Sequence, residues 1–137
     1  MSQREFVTDV LSESQRADVL SAVVGFLVSK GVERVRTEFG FVVQRDLHGE
    51  KQGEDAIVPV RELPRFIEDG LREGTIEWGG SSDFRCFPVN LDFQMLFCND
   101  TDLHFSAQDS ALLMALSRLF FALGVRVYED GSLIAME

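Results

Sequence analysis

Cysteine and proline are scarce in this chain of 137 residues, which holds two of the first and three of the second. A chain of this length buries roughly two-thirds of its unfolded surface, so it folds without disulfide or metal staples. Cys86 and Cys98 therefore read as reduced thiols of a cytosolic protein. Pro59, Pro64 and Pro88 are scattered, and no Pro-rich, Ser-rich or low-complexity linker divides the sequence, so one domain is expected over residues 1–137. Positive charge is short as well. The chain sets 13 Lys and Arg against 23 Asp and Glu, a net charge of -10, which speaks against a nucleic-acid partner bound by neutralising phosphates. Long apolar runs are missing: Val19 to Val28 is interrupted by Ser21 and is too short to span a bilayer, and the polar Met-Ser-Gln-Arg-Glu opening leads into no signal-like segment. The expectation is a cytoplasmic protein with no membrane partner.

What is present reads as alternating helix and strand. Ser12 or Ser14 can cap a helix that carries Val19, Leu20, Val23, Phe26 and Leu27 at helical spacing, with Gly31 in the left-handed position just past its end. From Val32 the period changes to two, with Val35, Thr37, Phe39, Phe41 and Val43 on one face of a strand and Arg34, Arg36, Glu38 and Gly40 on the other. Leu47 to Asp55 reads as a loop. Leu63, Phe66, Ile67 and Leu71 mark a short amphipathic helix that tolerates Pro64 in its first turn and stops at Gly74. Short β pieces at Thr75 to Trp78, Phe84 to Phe87 and Leu91 to Cys98 suggest an antiparallel meander. Ser106 with Asp109 has capping-box spacing ahead of a helix bearing Leu112, Leu113, Leu116, Leu119, Phe120 and Leu123 and ending at Gly124. Asp130-Gly131 suits a type I′ hairpin that pairs Val127 with Ile134 and Tyr128 with Leu133. The first and third helices share a pattern, since Gln15 to Val32 laid over Gln108 to Val125 matches at the glutamine, one alanine, the glycine and the valine; a common helix-stop signal accounts for it. The predicted architecture is a single α+β domain, an antiparallel sheet packed against two longer helices plus one short helix.

Residues 50–110 hold 13 acids against 5 bases, so nearly all of the imbalance sits in the middle of the chain. A one-signed field of this kind steers a basic partner and speeds its association. Trp78, beside two glycines, and several phenylalanines supply apolar anchors in the same region, and aromatic anchors inside a charged rim are the usual anatomy of a tight interface. The candidate partner-binding residues are Trp78, Asp83, Asp92, Asp100 and Asp102, expected on one surface facing a basic protein partner such as a toxin or nuclease. Size, acidity and Trp/Phe content are similar in general style to bacterial immunity proteins that block toxin active sites, a likeness of composition. On this reading the chain is a non-enzymatic inhibitor that needs no cofactor.

Two other classes compete. Asp100, Asp102 and His104 are the residues from which a small acid/base or metal-assisted enzyme would be built. Asn99-Asp100-Thr101-Asp102 places oxygen ligands on one turn, but the longer ladder, central glycine and closing glutamate of a calcium loop are missing, and Cys86, Cys98, His48 and His104 have no zinc-ligand spacing. Cys98, Asp102 and His104 invite a thiol-nucleophile reading that strand alternation disfavours, since it turns His104 toward solvent and leaves Cys98 a small core hydrophobe. Walker loops, G-x-G-x-x-G turns and G-x-S-x-G elbows do not occur. The third class is a structural subunit or homodimer that pairs an exposed sheet edge or the C-terminal hairpin.

Overall fold

The computed structural model describes residues 4–39, 55–73, 84–97 and 101–134. Along them run β1 (Arg4–Thr8), α1 (Glu13–Ser29), β2 (Arg34–Phe39), β3 (Asp55–Pro59), a 3-10 turn (Val60–Glu62), α2 (Leu63–Glu73), β4 (Phe84–Pro88), β5 (Gln94–Phe97), β6 (Leu103–Ala107), α3 (Ser110–Ala122), β7 (Val127–Glu129) and β8 (Ser132–Leu133). The strands form one antiparallel sheet in the order β3-β2-β4-β5-β6-β1-β7-β8. This is the α+β architecture expected, with α1 and α3 the longer helices and α2 the short one.

Alternation sorts the strand side chains. Phe6, Val35, Thr37, Phe84, Cys86, Met95, Phe97, Leu103, Phe105 and Val127 are buried, and most join Val19, Val23, Leu27, Leu63, Ile67, Leu113, Leu116 and Phe120 of the helices in one apolar core. Its centre is aromatic: Phe105 meets Phe120 edge-on at 5.5 Å and Phe6 at 5.8 Å, while Phe84 lies 5.6 Å from Phe97. Such pairs add to area burial because ring edge and ring face carry opposite partial charge. The helices cover one side of this sheet, and among the described residues none packs on the other.

Local signals place the helices. Ser12 caps α1 by accepting the Gln15 N–H at 3.2 Å while the Gln15 side chain accepts the Ser12 N–H at 2.9 Å. At the other end Val32 N–H reaches Leu27 O and Gly31 N–H reaches Val28 O, the paired bonds that satisfy a helix's last carbonyls when the next residue is left-handed. Helix α3 ends identically, with Val125 N–H to Phe120 O and Gly124 N–H to Phe121 O, and Gly31 and Gly124 both have φ of 81°. The shared pattern is therefore one stop signal used twice.

Three expectations need correction or completion. Ser106 is not a cap: it lies buried in β6, paired with Glu5 and Gln94, and the cap of α3 is Asp109, whose side chain accepts the Ala111 N–H at 2.9 Å. Ladder pairing on both sides carries the strand through Ala107, which the spacing of Ser106 and Asp109 does not reveal. Strand β1, absent from the sequence reading, lies between β6 and β7. The apolar stretch at 56–60 divides into edge strand β3 and the start of the 3-10 turn. The C-terminal hairpin has the expected register, Tyr128 opposite Leu133, with Asp130 and Gly131 both at positive φ. Thr75 to Trp78, Phe41, Val43 and the 47–54 stretch lie outside the described residues.

Candidate interaction surface

Because directly opposed residues share a face, the pairings define a single row across the helix-free side of the sheet: Glu38, Arg85, Leu96, His104, Val7, Tyr128 and Leu133, one each from β2, β4, β5, β6, β1, β7 and β8. The β2 and β4 end of the row is charged. From β5 to β8 it is mainly apolar, with Leu96, Val7 and Tyr128 half-buried and Leu133 exposed.

His104 sits at its centre, between Leu96 and Val7. Its Nε2 lies 3.2 Å from Asp102 Oδ1 and its Nδ1 lies 3.4 Å from Glu5 Oε1. Residues two apart in a strand share a face, which places Asp102 beside it, and Glu5 arrives from β1 two pairs along the ladder, opposite Ser106. The turn that delivers Asp102 holds Thr101 at φ 66°, a left-handed conformation costly for a β-branched residue, and the Thr101 carbonyl accepts the Leu11 N–H at 3.0 Å. Both ring nitrogens face carboxylates. Among the described residues neither is turned to a hydroxyl or thiol, the contact by which an imidazole activates a nucleophile. Cys86 is fully buried in the core, and burial pushes its thiol well above the ordinary range, which suppresses the thiolate that nucleophilic chemistry requires.

Charge on this face is divided. Arg34, Arg36 and Arg85 stand on β2 and β4, where Arg36 stacks over Phe87 at 4.3 Å and reaches Glu38 at 3.4 Å. Glu5, Asp9 and Asp102 gather around β1 and β6. Asp9 accepts the Tyr128 hydroxyl at 2.8 Å and faces Arg126 Nε at 3.4 Å; its hydrogen bond holds the phenol proton and raises the Tyr128 pKa. Nearby, Arg4 and Glu129 meet at 2.6 Å, and the hydrogen bonds from Arg4 lower the Glu129 pKa.

Of the sequence-predicted residues, Trp78, Asp83 and Asp100 lie outside the described residues, as does Cys98. Asp92 is exposed in the turn between β4 and β5, whereas Asp102 opens β6 with its side chain 14% exposed. Strand β5 runs between those two turns, so they lie at opposite ends of it. The structure joins Asp102 to His104 and does not join either to Asp92. Glu5, Val7, Leu96 and Tyr128 were missed; the signal for the first two was the alternation of Glu5 and Val7 with Phe6 and Thr8. Among the described residues no cluster of three or more metal-ligating side chains occurs, and no helix is long and apolar enough to cross a membrane. Comparison of the chain with protein-family models, curated proteins and solved structures finds no match in any of the three.

Proposed function

We propose that the protein is a non-enzymatic binding protein that docks a basic macromolecular partner on the helix-free face of its sheet and blocks it, in the style of a toxin-neutralising immunity protein. The observation that carries this reading is the centre of that face, where the carboxylates of Glu5 and Asp102 flank His104 within a row of half-buried Leu96, Val7 and Tyr128. An apolar strip with fixed carboxylates at its margin suits a partner that presents arginine or lysine around an apolar contact. The acidic excess of residues 50–110 adds long-range attraction to the same partner.

The test is capture on immobilised protein from source-organism lysate, washed at low and then high salt, with the double variant Glu5→Lys/Asp102→Lys run beside Glu13→Lys/Asp18→Lys, which makes the same charge change on α1. A basic protein held by wild type and by the α1 variant, released by salt and lost from the first variant, is the expected result. Equal loss from both variants, or retention by both, refutes this surface as the site. A second reading, the small acid/base or metal-assisted enzyme read from Asp100, Asp102 and His104, draws its support from the Asp102 to His104 contact. It requires the thermal midpoint to rise with magnesium, calcium or zinc and to fall back with EDTA.

A further inference from the structure

The geometry points to a second copy of this chain as an occupant of the helix-free face, stacked on it about a two-fold axis that runs along β5. In the order β2-β4-β5-β6-β1 the middle strand presents no charge on this face, only Gln94 and half-buried Leu96. The two strands on one side of it carry Arg34, Arg36 and Arg85, and the two on the other bring Asp102 and Glu5. Charge is therefore antisymmetric about β5; Glu38, the acid on the basic side, is held by Arg36 at 3.4 Å. An axis along the strand direction lays β4 over β6 of the copy and β2 over β1, and does so twice, so the basic strands of each copy meet the acidic strands of the other.

Register agrees with this match. Such an axis keeps each cross-strand row opposite the same row of the copy, and two right-twisted sheets related in this way stay aligned at the usual sandwich spacing of about 10 Å. Arg36 and Glu5 share a row, through Phe87, Gln94 and Ser106. Arg85 shares the next row with His104, so it comes down on the imidazole of the copy and the two carboxylates that flank it. At the axis Leu96 meets Leu96. Farther out β3 lies over β7, which brings Ile57, 59% exposed, within one row of the copy's Tyr128.

Charge selects the copy. Two chains that each carry -10 repel at a distance, so they associate only where charge cancels locally. Arg85 is exposed and enters no ion pair among the described residues. Glu5, its side chain 56% exposed, leans on an imidazole that leaves the carboxylate charge uncancelled while neutral. A basic partner matches Glu5 and Asp102 alone and an acidic one matches the arginines alone, whereas a copy matches both halves. The overlap, from β3 to β7, covers roughly 500 Å² per copy at the usual strand spacing and rise, the scale of a small, reversible interface. This dimer covers the face that the proposed function gives to a basic partner and does not rest on that reading; docking there proceeds by displacing the copy.

Light scattering coupled to size exclusion tests it through complementary charge reversals. The wild-type chain is expected at twice 15.4 kDa at high micromolar concentration. Arg36→Glu sets acid against Glu5 of the copy and Glu5→Arg sets base against Arg36, so each variant alone is expected at 15.4 kDa with the wild-type far-ultraviolet spectrum. Mixed in equal amounts, the two restore both contacts and are expected at twice that mass. If either variant fails to fold, Arg85→Asp, at an exposed side chain, and Leu96→Glu, which places like charges on the axis, decide in its place, both expected monomeric. A wild-type monomer up to millimolar concentration overturns the proposal, as does a mixture of folded variants that stays monomeric, or a dimer that survives Arg36→Glu and Leu96→Glu alike. No outside partner enters this measurement, so its failure is distinct from failure of the capture experiment above.

Discussion

Tyr128 is the chain's single tyrosine, so its ionisation can be followed by absorbance without ambiguity. Its hydroxyl donates to Asp9, and a phenol that must give up this proton beside a carboxylate resists ionisation. The folded-state pKa is raised above the unfolded value. The bond's contribution to stability is therefore complete below the ordinary tyrosine range and is lost as pH rises through the folded value. Tyrosinate absorbance of the native protein is expected to develop at higher pH than in the urea-unfolded chain, and Asp9→Ala is expected to move the native titration back toward the unfolded one. Coincident native and unfolded titrations would show that the Asp9 contact does not persist in solution. The contact matters beyond itself, because Arg126 meets the same carboxylate and Tyr128 is one of the row that crosses the open face.

The two matched helix ends make the clearest test of elements. Gly31 and Gly124 both sit at φ 81°, and a Cβ added at either meets nothing within 4 Å, so alanine there pays for backbone strain without a clash. Gly31→Ala and Gly124→Ala are each expected to cost about 1 kcal/mol in urea unfolding, with an unchanged slope, and to add in the double variant because the sites belong to different helices. A strongly non-additive result would mean that the two ends are coupled through the core. These ends were legible in the sequence because a capping signal is local: glycine, the preceding apolar spacing and the following valine lie within one turn. The same locality revealed the Asp130-Gly131 hairpin and the solvent-facing parity of His104. It misled at Ser106, where cap spacing is present but strand pairing to Glu5 and Gln94 prevails. It also left Glu5 unseen as a neighbour of His104, since nothing near either residue in sequence encodes a contact between β1 and β6.

At the level of the whole molecule, the eight-stranded sheet depends on a segment the sequence barely advertises. Strand β1 pairs on one side with β6, at positions about a hundred residues away, and on the other with β7. Phe6 is fully buried against Phe105, and Thr8 Oγ1 accepts the Leu103 N–H at 3.0 Å while its own proton goes to the Asp9 carbonyl. Removing β1 leaves β6 and β7 each with one edge unpaired, parts the sheet between them and opens the aromatic centre of the core. Unpaired buried backbone groups and the loss of a buried phenylalanine, itself worth about 3–5 kcal/mol, together approach the entire stability of a small domain. A chain lacking residues 1–8 is therefore expected to lose cooperative thermal unfolding and its near-ultraviolet aromatic signal. Deletion from residue 130 onward is expected to keep both, because β8 is an edge and its loss uncovers only β7. Cooperative melting of the N-terminal truncation would contradict the central placement of β1, and with it the assembly of Glu5, Val7 and His104 on one surface. The N-terminal strand thus unites fold and site: the residues that close the sheet also bring the first carboxylate to His104.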